Sequence, residues 1–250
     1  MPSPAPSRGF SLLELLIGMF LTALLVTAVT SLLGNSVSAY RQQLSQGQLE
    51  ASSRFAREIL DSHISQAGFN PRPWQNPAGL AALTSESANR GVQRGDQLGL
   101  QRWSDHNCYG NQNPVMDADG KPEFHVLQAR FEVTPANNLA MTCRYGPDIT
   151  QLTTQVNNFG LVENVESMQV LYAQDRDGDG VADGWVRAGD WQQESRVLAV
   201  KIALLFASVR AFSRAESEVV TLLDESITTP ADGHLRVVST LTTAIRGRLQ

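Results

Sequence analysis

The sequence predicts an α+β protein in which one long N-terminal helix is followed by a mostly antiparallel β-sheet domain. Residues 10–33 are apolar or small except for Glu14, and no proline occurs between Phe10 and Asn70. After Gly68, prolines end the helical pattern, and segments rich in β-branched and aromatic residues follow. With 250 residues, the chain has room for an anchor and either one sizeable domain or two small ones.

The first apolar segment is long enough to cross a bilayer. At about 1.5 Å per residue, a helix over residues 10–33 matches a hydrocarbon core of ~30 Å. A helix is expected there because it satisfies its own backbone polar groups in lipid. Arg8 is the only charge before this segment. Since cations favour the cytoplasmic side, the rest of the chain is predicted to lie outside the cytoplasm.

Two residues indicate that this segment is more than an anchor. A charge within a span costs roughly 2.5–3.5 kcal/mol at the centre and less near the ends, so Glu14 calls for a partner. Gly9 precedes the apolar run, whereas a secretory signal places its apolar region before the cleavage site. Cleavage after Gly9 would therefore keep the span and free the amine of Phe10. The alternative is a signal anchor with a chance carboxylate.

The segment Arg8-Gly9-Phe10-Ser11-Leu12-Leu13-Glu14, followed by an uncharged helix, resembles the N-terminus of type IV prepilins and type II secretion pseudopilins. The resemblance implies that a membrane peptidase cuts between Gly9 and Phe10 and methylates the new amine of Phe10. It also implies that Glu14 neutralises the N-terminal amine of a neighbouring subunit in a filament. The implied segments are a leader (1–9), a transmembrane and assembly half-helix (10–34), a periplasmic half-helix (35–69) and a globular β-rich domain (70–250).

The second half of the chain is similar to the PilW-type minor pilins of type IV pili, which are relatives of the J-type minor pseudopilin of type II secretion. The similarity lies in residues 163–185, 196–208 and 240–248. It implies a pilin-like fold and a subunit that is not an enzyme. Before assembly, the subunit would be held in the inner membrane with a cytoplasmic N-terminus and a periplasmic domain. After assembly it would lie in the pilus at the cell surface.

The same resemblance implies a role in priming pilus assembly at or near the tip, which would support adhesion and twitching motility. The implied partners are other minor pilins, the major pilin, the prepilin peptidase and the inner-membrane assembly platform. Two alternatives are a J-type pseudopilin of a type II secretion system and a membrane-anchored periplasmic protein that binds calcium or acts as an enzyme.

Beyond the membrane, the helix is predicted to continue to about Ala67, on the order of 85 Å in total. An apolar stripe at three- and four-residue steps is expected to face the domain. Its members are Tyr40, Leu44, Gly47, Ala51, Phe55 and Ile59. Residues 70–95 are predicted to be a loop and residues 117–120 a turn. Strands are predicted over residues 97–103, 123–134, 162–172, 196–209 and 235–249. Residues 197–206 are apolar except for Lys201, which predicts a central strand covered on its inner face by the helix.

Cys108 and Cys143 are the only cysteines. Both are predicted to lie outside the cytoplasm, where disulfides persist. A bridge between them would stabilise the fold by roughly 3–4 kcal/mol through chain entropy. The alternative is a metal site or a reactive thiol, although His106 and Cys108 supply only one pair of ligands.

The acidic loop, residues 175–184, carries four aspartates interrupted by glycines. Clustered carboxylates repel one another unless a cation lies among them, and Ca²⁺ takes oxygen ligands at alternating positions of an EF-hand loop. The matching residues are Asp175, Asp177, Asp179, Val181 through its carbonyl, and Asp183. Val186 stands where the loop needs a bidentate Glu, so a possible Ca²⁺ site would be incomplete and weak, with a Kd of about 10⁻⁴–10⁻³ M. The alternative is a solvated hairpin turn.

Other classes of function find little support in the composition. The net charge is −5 without a Lys/Arg block, which argues against a nucleic-acid partner. No His-x-x-x-His, Cys-x-x-Cys, Gly-x-Ser-x-Gly or phosphate-loop motif occurs, so no enzymatic activity and no required cofactor are predicted. His63 lies beside the apolar stripe and is predicted to be a partly exposed packing residue rather than a ligand.

Overall fold

The helix that begins the fold is continuous. The structure is a computed structural model that describes residues 11–74, 80–93, 95–212 and 216–248. Helix α1 spans Leu12–Ser65, and the chain divides within it into two compact units, Met1–Gln46 and Gly47–Gln250. The α+β prediction is confirmed, and the helix ends two residues before the predicted Ala67.

The first unit contains the apolar part of α1. Leu12–Leu33 is long and apolar enough to cross a membrane, by length and composition, and none of its side chains is buried. Its hydroxyl groups bond to the helix itself; for example, Thr22 Oγ1 donates to the Gly18 carbonyl over 2.9 Å, and Thr30 Oγ1 to the Val26 carbonyl over 2.9 Å. These hydroxyl groups are thus satisfied without water, which suits a helix in lipid.

The second unit contains a four-stranded antiparallel sheet with the order β1-β2-β3-β4. Its strands are β1 (Leu98–Ser104), β2 (His125–Val133), β3 (Asn138–Gly146) and β4 (Thr153–Glu163). β1 and β2 lie within one to two residues of their predicted bounds, whereas β3 and β4 were not predicted. The segment at residues 80–88 lacks a long strand, as expected, but isolated bridges join Leu83 to Leu100 of β1 and Ala88 to Gln97, just before β1.

A second four-stranded antiparallel sheet has the order β10-β7-β5-β6. The remaining strands of the chain are, in order, β5 (Val165–Gln174), β6 (Gly184–Val186), β7 (Val197–Ala211), β8 (Val219–Leu222), β9 (Glu225–Thr228) and β10 (His234–Ala244). β7 is central, as predicted, and β8 and β9 form a separate hairpin that was not predicted. β10 ends at Ala244, short of the predicted residue 249. A 3₁₀-helix, Arg246–Arg248, follows it.

The face of α1 that packs on the domain is only partly the predicted one, since Ile59 of the predicted stripe packs against the core and the buried residues belong to a neighbouring stripe. The buried side chains of the helix in this unit are Leu49, Ser53, Ala56, Leu60 and Ile64. Within this unit, Phe55 of the predicted stripe is instead 52% exposed. The helix carries two apolar stripes, and the sheets take the one in which Ser53 and Ala56 alternate with larger residues. Small side chains allow a close approach of helix and sheet.

β7 is buried on both faces, which explains its long apolar run. Val200, Ile202, Leu204 and Phe206 belong to the main core together with α1. Ala203 and Leu205 lie in a second cluster with Leu222 of the β8–β9 hairpin. A strand covered on both faces does not alternate between apolar and polar residues. Helix α1 therefore covers only one face of β7, as predicted. The β8–β9 hairpin covers the opposite face.

Candidate functional site

The predicted processing site, Gly9 and Phe10, lies outside the described residues. The described chain begins at the N-terminal end of α1, where Ser11 precedes the helix and Glu14 lies in the first turn. Ser11 Oγ accepts a hydrogen bond from the Leu13 N–H over 3.3 Å, and Glu14 Oε2 accepts a long one from the Ser11 N–H over 3.5 Å. This reciprocal pair is a variant of the capping box in which Ser11 Oγ accepts the Leu13 N–H instead of the Glu14 N–H, and the Ser-x-x-Glu pattern in the sequence could have predicted it.

The capping box leaves the charge of Glu14 without a counter-charge inside the described chain. No Lys, Arg or His among the described residues lies within 4.0 Å of its carboxylate. The side chains around it, among them Leu13 and Ile17, are large, apolar and exposed. A carboxylate amid exposed apolar surface needs a cation when that surface is covered by lipid or by other helices.

The predicted disulfide is present. Cys108, in the loop after β1, and Cys143, in β3, are joined with an S–S distance of 2.06 Å and a Cα–Cα distance of 5.9 Å. Neither cysteine is free, so the alternative of a reactive thiol or thiolate metal ligand does not apply. The Cys108 N–H also donates to Gln155 Oε1 over 3.0 Å. The bridge therefore fastens the loop after β1 to β3 and β4.

The acidic loop connects β5 and β6 as a closed hairpin. Asp175 is buried, and its two carboxylate oxygens accept hydrogen bonds from the Gly178 and Gly180 N–H groups. Both glycines have positive φ angles, of 86° and 84°, which side-chain-bearing residues rarely adopt. Asp183 Oδ2 accepts the Arg176 N–H over 2.6 Å. The solvated hairpin turn considered from the sequence is thus present.

Only three of the predicted metal ligands converge. Carboxylate oxygens of Asp175, Asp177 and Asp183 lie within 4.8 Å of one another. Asp179 is outside this group, and its Oδ1 accepts the Val181 N–H over 2.7 Å. That hydrogen bond ties the two remaining predicted ligands, Asp179 and Val181, to each other.

Arg196 is a contributor that the sequence analysis missed. It precedes β7, and its guanidinium donates to the Arg176 carbonyl over 2.6 Å. Burial raises the pKa of Asp175, but hydrogen bonds from Gly178 and Gly180 together with the charge of Arg196 outweigh it, so this pKa lies below its ordinary value. Arg196 and the loop amides thus already stabilise the charge of Asp175. The loop could hold a cation only in addition to these groups.

His63 is a packing residue, as predicted. Its ring meets Phe131 edge to face, with 5.1 Å between the ring centroids, and its Nδ1 lies 3.4 Å from Arg102 Nη1. Burial, and then the nearby Arg102 charge, lower the pKa of His63 to about 4. The imidazole is therefore neutral at pH 7.

Sequence comparisons assign two parts of the chain. Residues 131–247 match the family described as Type IV Pilus-assembly protein W, and residues 5–30 match the family described as Prokaryotic N-terminal methylation motif. No curated protein matches. A solved structure of a type IV-like pilin from Thermus thermophilus is similar at 16% identity and a TM-score of 0.48, covering 81% of this chain and 97% of that one.

Proposed function

We propose that this chain, which belongs to the PilW-type minor pilins of the type IV pilus, helps to prime and assemble the pilus at or near its tip. In this role it would support adhesion and twitching motility. It would act by assembly and would catalyse no reaction. Its partners would be other minor pilins, the major pilin and the inner-membrane assembly platform.

The first step of the proposal is processing. A prepilin peptidase would remove residues 1–9 and methylate the amine of Phe10. The methylation-motif match over residues 5–30 supports this step, since it spans the end of the leader and most of the apolar helix. The mature chain would stay in the inner membrane through residues 10–34, with residues 35–69 and the domain of residues 70–250 in the periplasm.

The observation that carries the proposal is the uncovered helix with its single charge. Leu12–Leu33 exposes every side chain, and no cation of the described chain pairs with Glu14. In a filament, the span would pack against the spans of neighbouring subunits, and Glu14 would pair with the N-terminal amine of one of them. Opposite charges attract strongly in such a low-dielectric setting, so this pairing would also fix the register of the subunits.

The exposed stripe of α1 supports the same conclusion in the domain half. Phe55 is 52% exposed, and Ala51 and Gly47 lie one and two turns before it. Phe55 and the small residues before it would fit apolar side chains of a neighbouring subunit. We therefore expect Phe55→Glu to lower the amount of the chain in pili without unfolding the domain. The matched control is Gln48→Glu, because Gln48 is an exposed, polar residue of the same helix.

The experiment that tests the proposal is co-expression with a prepilin peptidase, followed by measurement of the intact mass and the N-terminus. We expect a chain that begins at methylated Phe10 and expect Gly9→Val to block its formation. A chain that keeps residues 1–9 in the presence of active peptidase would refute the proposal and reduce the span to an anchor.

A second measurement concerns assembly. Glu14→Ala should leave processing intact but remove the chain from sheared pili, because the carboxylate that meets the neighbouring amine is lost. Leu15→Ala, a neutral change in the same turn, is the control. Loss of protein secretion with normal pili in a deletion strain would instead favour the J-type pseudopilin of a type II secretion system.

Calcium binding by Asp175, Asp177 and Asp183 remains a prediction. Its support is the convergence of three carboxylates, and Asp179 and the Val181 carbonyl would need to turn toward the ion to complete the set.

A further inference from the structure

A cleft of about 270 Å³, which we call the Trp103 cleft, lies where the first sheet meets the segment that follows α1. Its apolar walls are built from rings, namely those of Trp103, Phe124, Pro71 and Pro147. Its polar lining includes the charged side chains of Arg72 and Glu123. Apolar and aromatic walls with a small number of polar groups are typical of sites for small ligands.

The walls of the Trp103 cleft are held in place by the fold. Trp103 lies in β1, and its N–H donates to the Phe69 carbonyl over 3.1 Å. The ring of Phe124, just before β2, packs on the ring of Phe69 with 6.2 Å between the centroids. The Glu123 N–H donates to the Val115 carbonyl over 2.8 Å. The cleft is therefore formed before a ligand enters, which lowers the entropic cost of binding.

The backbone beside the cleft is already paired, so it offers no place for an added strand. The Gly68 N–H donates to the Gln101 carbonyl of β1 over 2.8 Å, and the Gln101 N–H donates to the Ala82 carbonyl over 2.9 Å. Recognition of an extended peptide by strand addition needs open N–H and C=O groups at a sheet edge. A ligand of the Trp103 cleft must instead be recognised by the side chains that line it.

The two charged side chains of the cleft are exposed and opposite in sign. Arg72 is 50% exposed, and its Nη2 lies 3.2 Å from Asp117 Oδ2. Glu123 is 51% exposed. A guanidinium can only donate hydrogen bonds, and a carboxylate can only accept them. Together they favour a neutral ligand whose groups both donate and accept, as hydroxyl groups do, over an anion, a cation or a purely apolar molecule.

We propose that the Trp103 cleft binds one ring of a neutral saccharide. The apolar C–H face of the sugar ring would pack on the Trp103 indole, and its hydroxyl groups would bond to Arg72 and Glu123. The volume of about 270 Å³ lies just below the range of about 300–1,000 Å³ that drug-sized ligands occupy, so it suits a single ring. This inference goes beyond the proposed function, because it assigns a ligand to the domain itself and depends neither on processing nor on assembly.

The test uses the full chain in micelles of a detergent that has no sugar head group. The methyl glycosides of glucose, galactose, mannose and N-acetylglucosamine are added one at a time, and saturation-transfer NMR detects binding. We expect transfer to the ring C–H protons of at least one glycoside, with a Kd of about 1 mM, because a single ring in an open cleft makes few contacts. The methyl glycoside of glucuronate and a polyproline peptide are measured in the same way and should bind more weakly.

Two substitutions locate the bound glycoside. Trp103→Ala should weaken its binding about tenfold, because the ring that packs on the sugar is lost. Glu123→Ala should also weaken binding about tenfold, because it removes a charged acceptor of hydrogen bonds. It should melt like the wild type, since Glu123 is 51% exposed. The control is Trp185→Ala in β6 of the second sheet, where the indole is also partly exposed, and this change should alter binding less than about twofold.

Three results would overturn this inference. The first is the absence of saturation transfer from the folded chain to every one of these glycosides. The second is binding that stays unchanged in Glu123→Ala, because the ligand would then lie elsewhere. The third is tighter binding of the glucuronate glycoside or of polyproline, since the cleft would then belong to another class of ligand. A chain that keeps residues 1–9 would refute the proposed function and leave these measurements unaffected, so the two failures are distinguishable.

Discussion

Lowering the pH from 7 to 5 should destabilise the folded domain through one buried histidine. His63 packs on Phe131 and lies 3.4 Å from the Arg102 guanidinium. Arginine can only donate, so His63 Nδ1 must accept and the ring is neutral. Burial, followed by the charge of Arg102, lowers the pKa of His63 to about 4 in the folded state.

The sign and size follow from proton linkage. In the unfolded chain the pKa of histidine is about 6.5, so between pH 6.5 and 4 the unfolded state binds a proton that the folded state excludes. The stability contributed by neutral His63 is therefore present above the unfolded pKa and is lost as the pH falls toward the folded pKa. With these two values, the loss amounts to about 2 kcal/mol at pH 5 and is nearly absent at pH 7.

The assay is urea unfolding of the full chain in detergent micelles at pH 7 and pH 5, followed by tryptophan fluorescence. His63→Gln keeps a hydrogen-bond acceptor for Arg102 but does not titrate, so its free energy of unfolding should fall by about 2 kcal/mol less than that of the wild type. His106→Gln, which replaces a histidine whose side chain is 45% exposed in the loop after β1, is the control substitution. If the wild type and His63→Gln lost the same free energy between pH 7 and pH 5, the argument for a buried neutral imidazole would be wrong.

Three further predictions concern the same domain. The double variant Cys108→Ser/Cys143→Ser should lose about 3–4 kcal/mol of unfolding free energy by the chain-entropy argument, and reduction of the wild type should have the same effect. A loss below 1 kcal/mol would contradict it. Arg236, whose side chain is 6% exposed, pairs with Glu166 and Asp232. Arg236→Met should lower the free energy of unfolding in urea by about 3 kcal/mol, because it leaves these carboxylates without a counter-charge. An unchanged unfolding midpoint would refute this prediction. Calcium titration by calorimetry should give a Kd of about 10⁻⁴–10⁻³ M that Asp175→Asn removes; no heat and no melting shift up to about 10 mM Ca²⁺ would exclude the site.

The segments that were predicted well from the sequence are those in which the apolar or polar character of the residues directly reflects what covers the segment. The apolar span requires lipid or other helices around it, and α1 was placed to within two residues at its C-terminal end. β7 was found because a strand buried on both faces is apolar throughout. The disulfide was predicted from the presence of only two cysteines together with the predicted location of both outside the cytoplasm.

The missed strands depend on partners that are distant in the sequence. β4 lies at an edge with both faces largely exposed, so its side chains show no alternation between apolar and polar. β8 and β9 have four residues each and are stabilised by packing on β7, together with the ion pair from Arg187 to Glu225. No local pattern reveals such long-range contacts. In the acidic loop, residue spacing correctly indicated a compact turn but could not reveal Arg196, which reaches it from the start of β7.

The error in the helix has a physical reason that bears on function. Periodicity identifies residues that share a face of a helix, but it does not identify what covers that face. α1 has two apolar stripes: one, with Leu60 and Ile64, is covered by its own sheets, and the other, with Phe55, is exposed. A protein that acts alone has little reason to keep the second stripe, since large exposed apolar patches promote association. A filament subunit needs both stripes, because its helix packs on its own domain and on its neighbours. Under the proposed function both stripes would be covered, one by the domain and one by a neighbouring subunit, so the sequence pattern alone does not distinguish them.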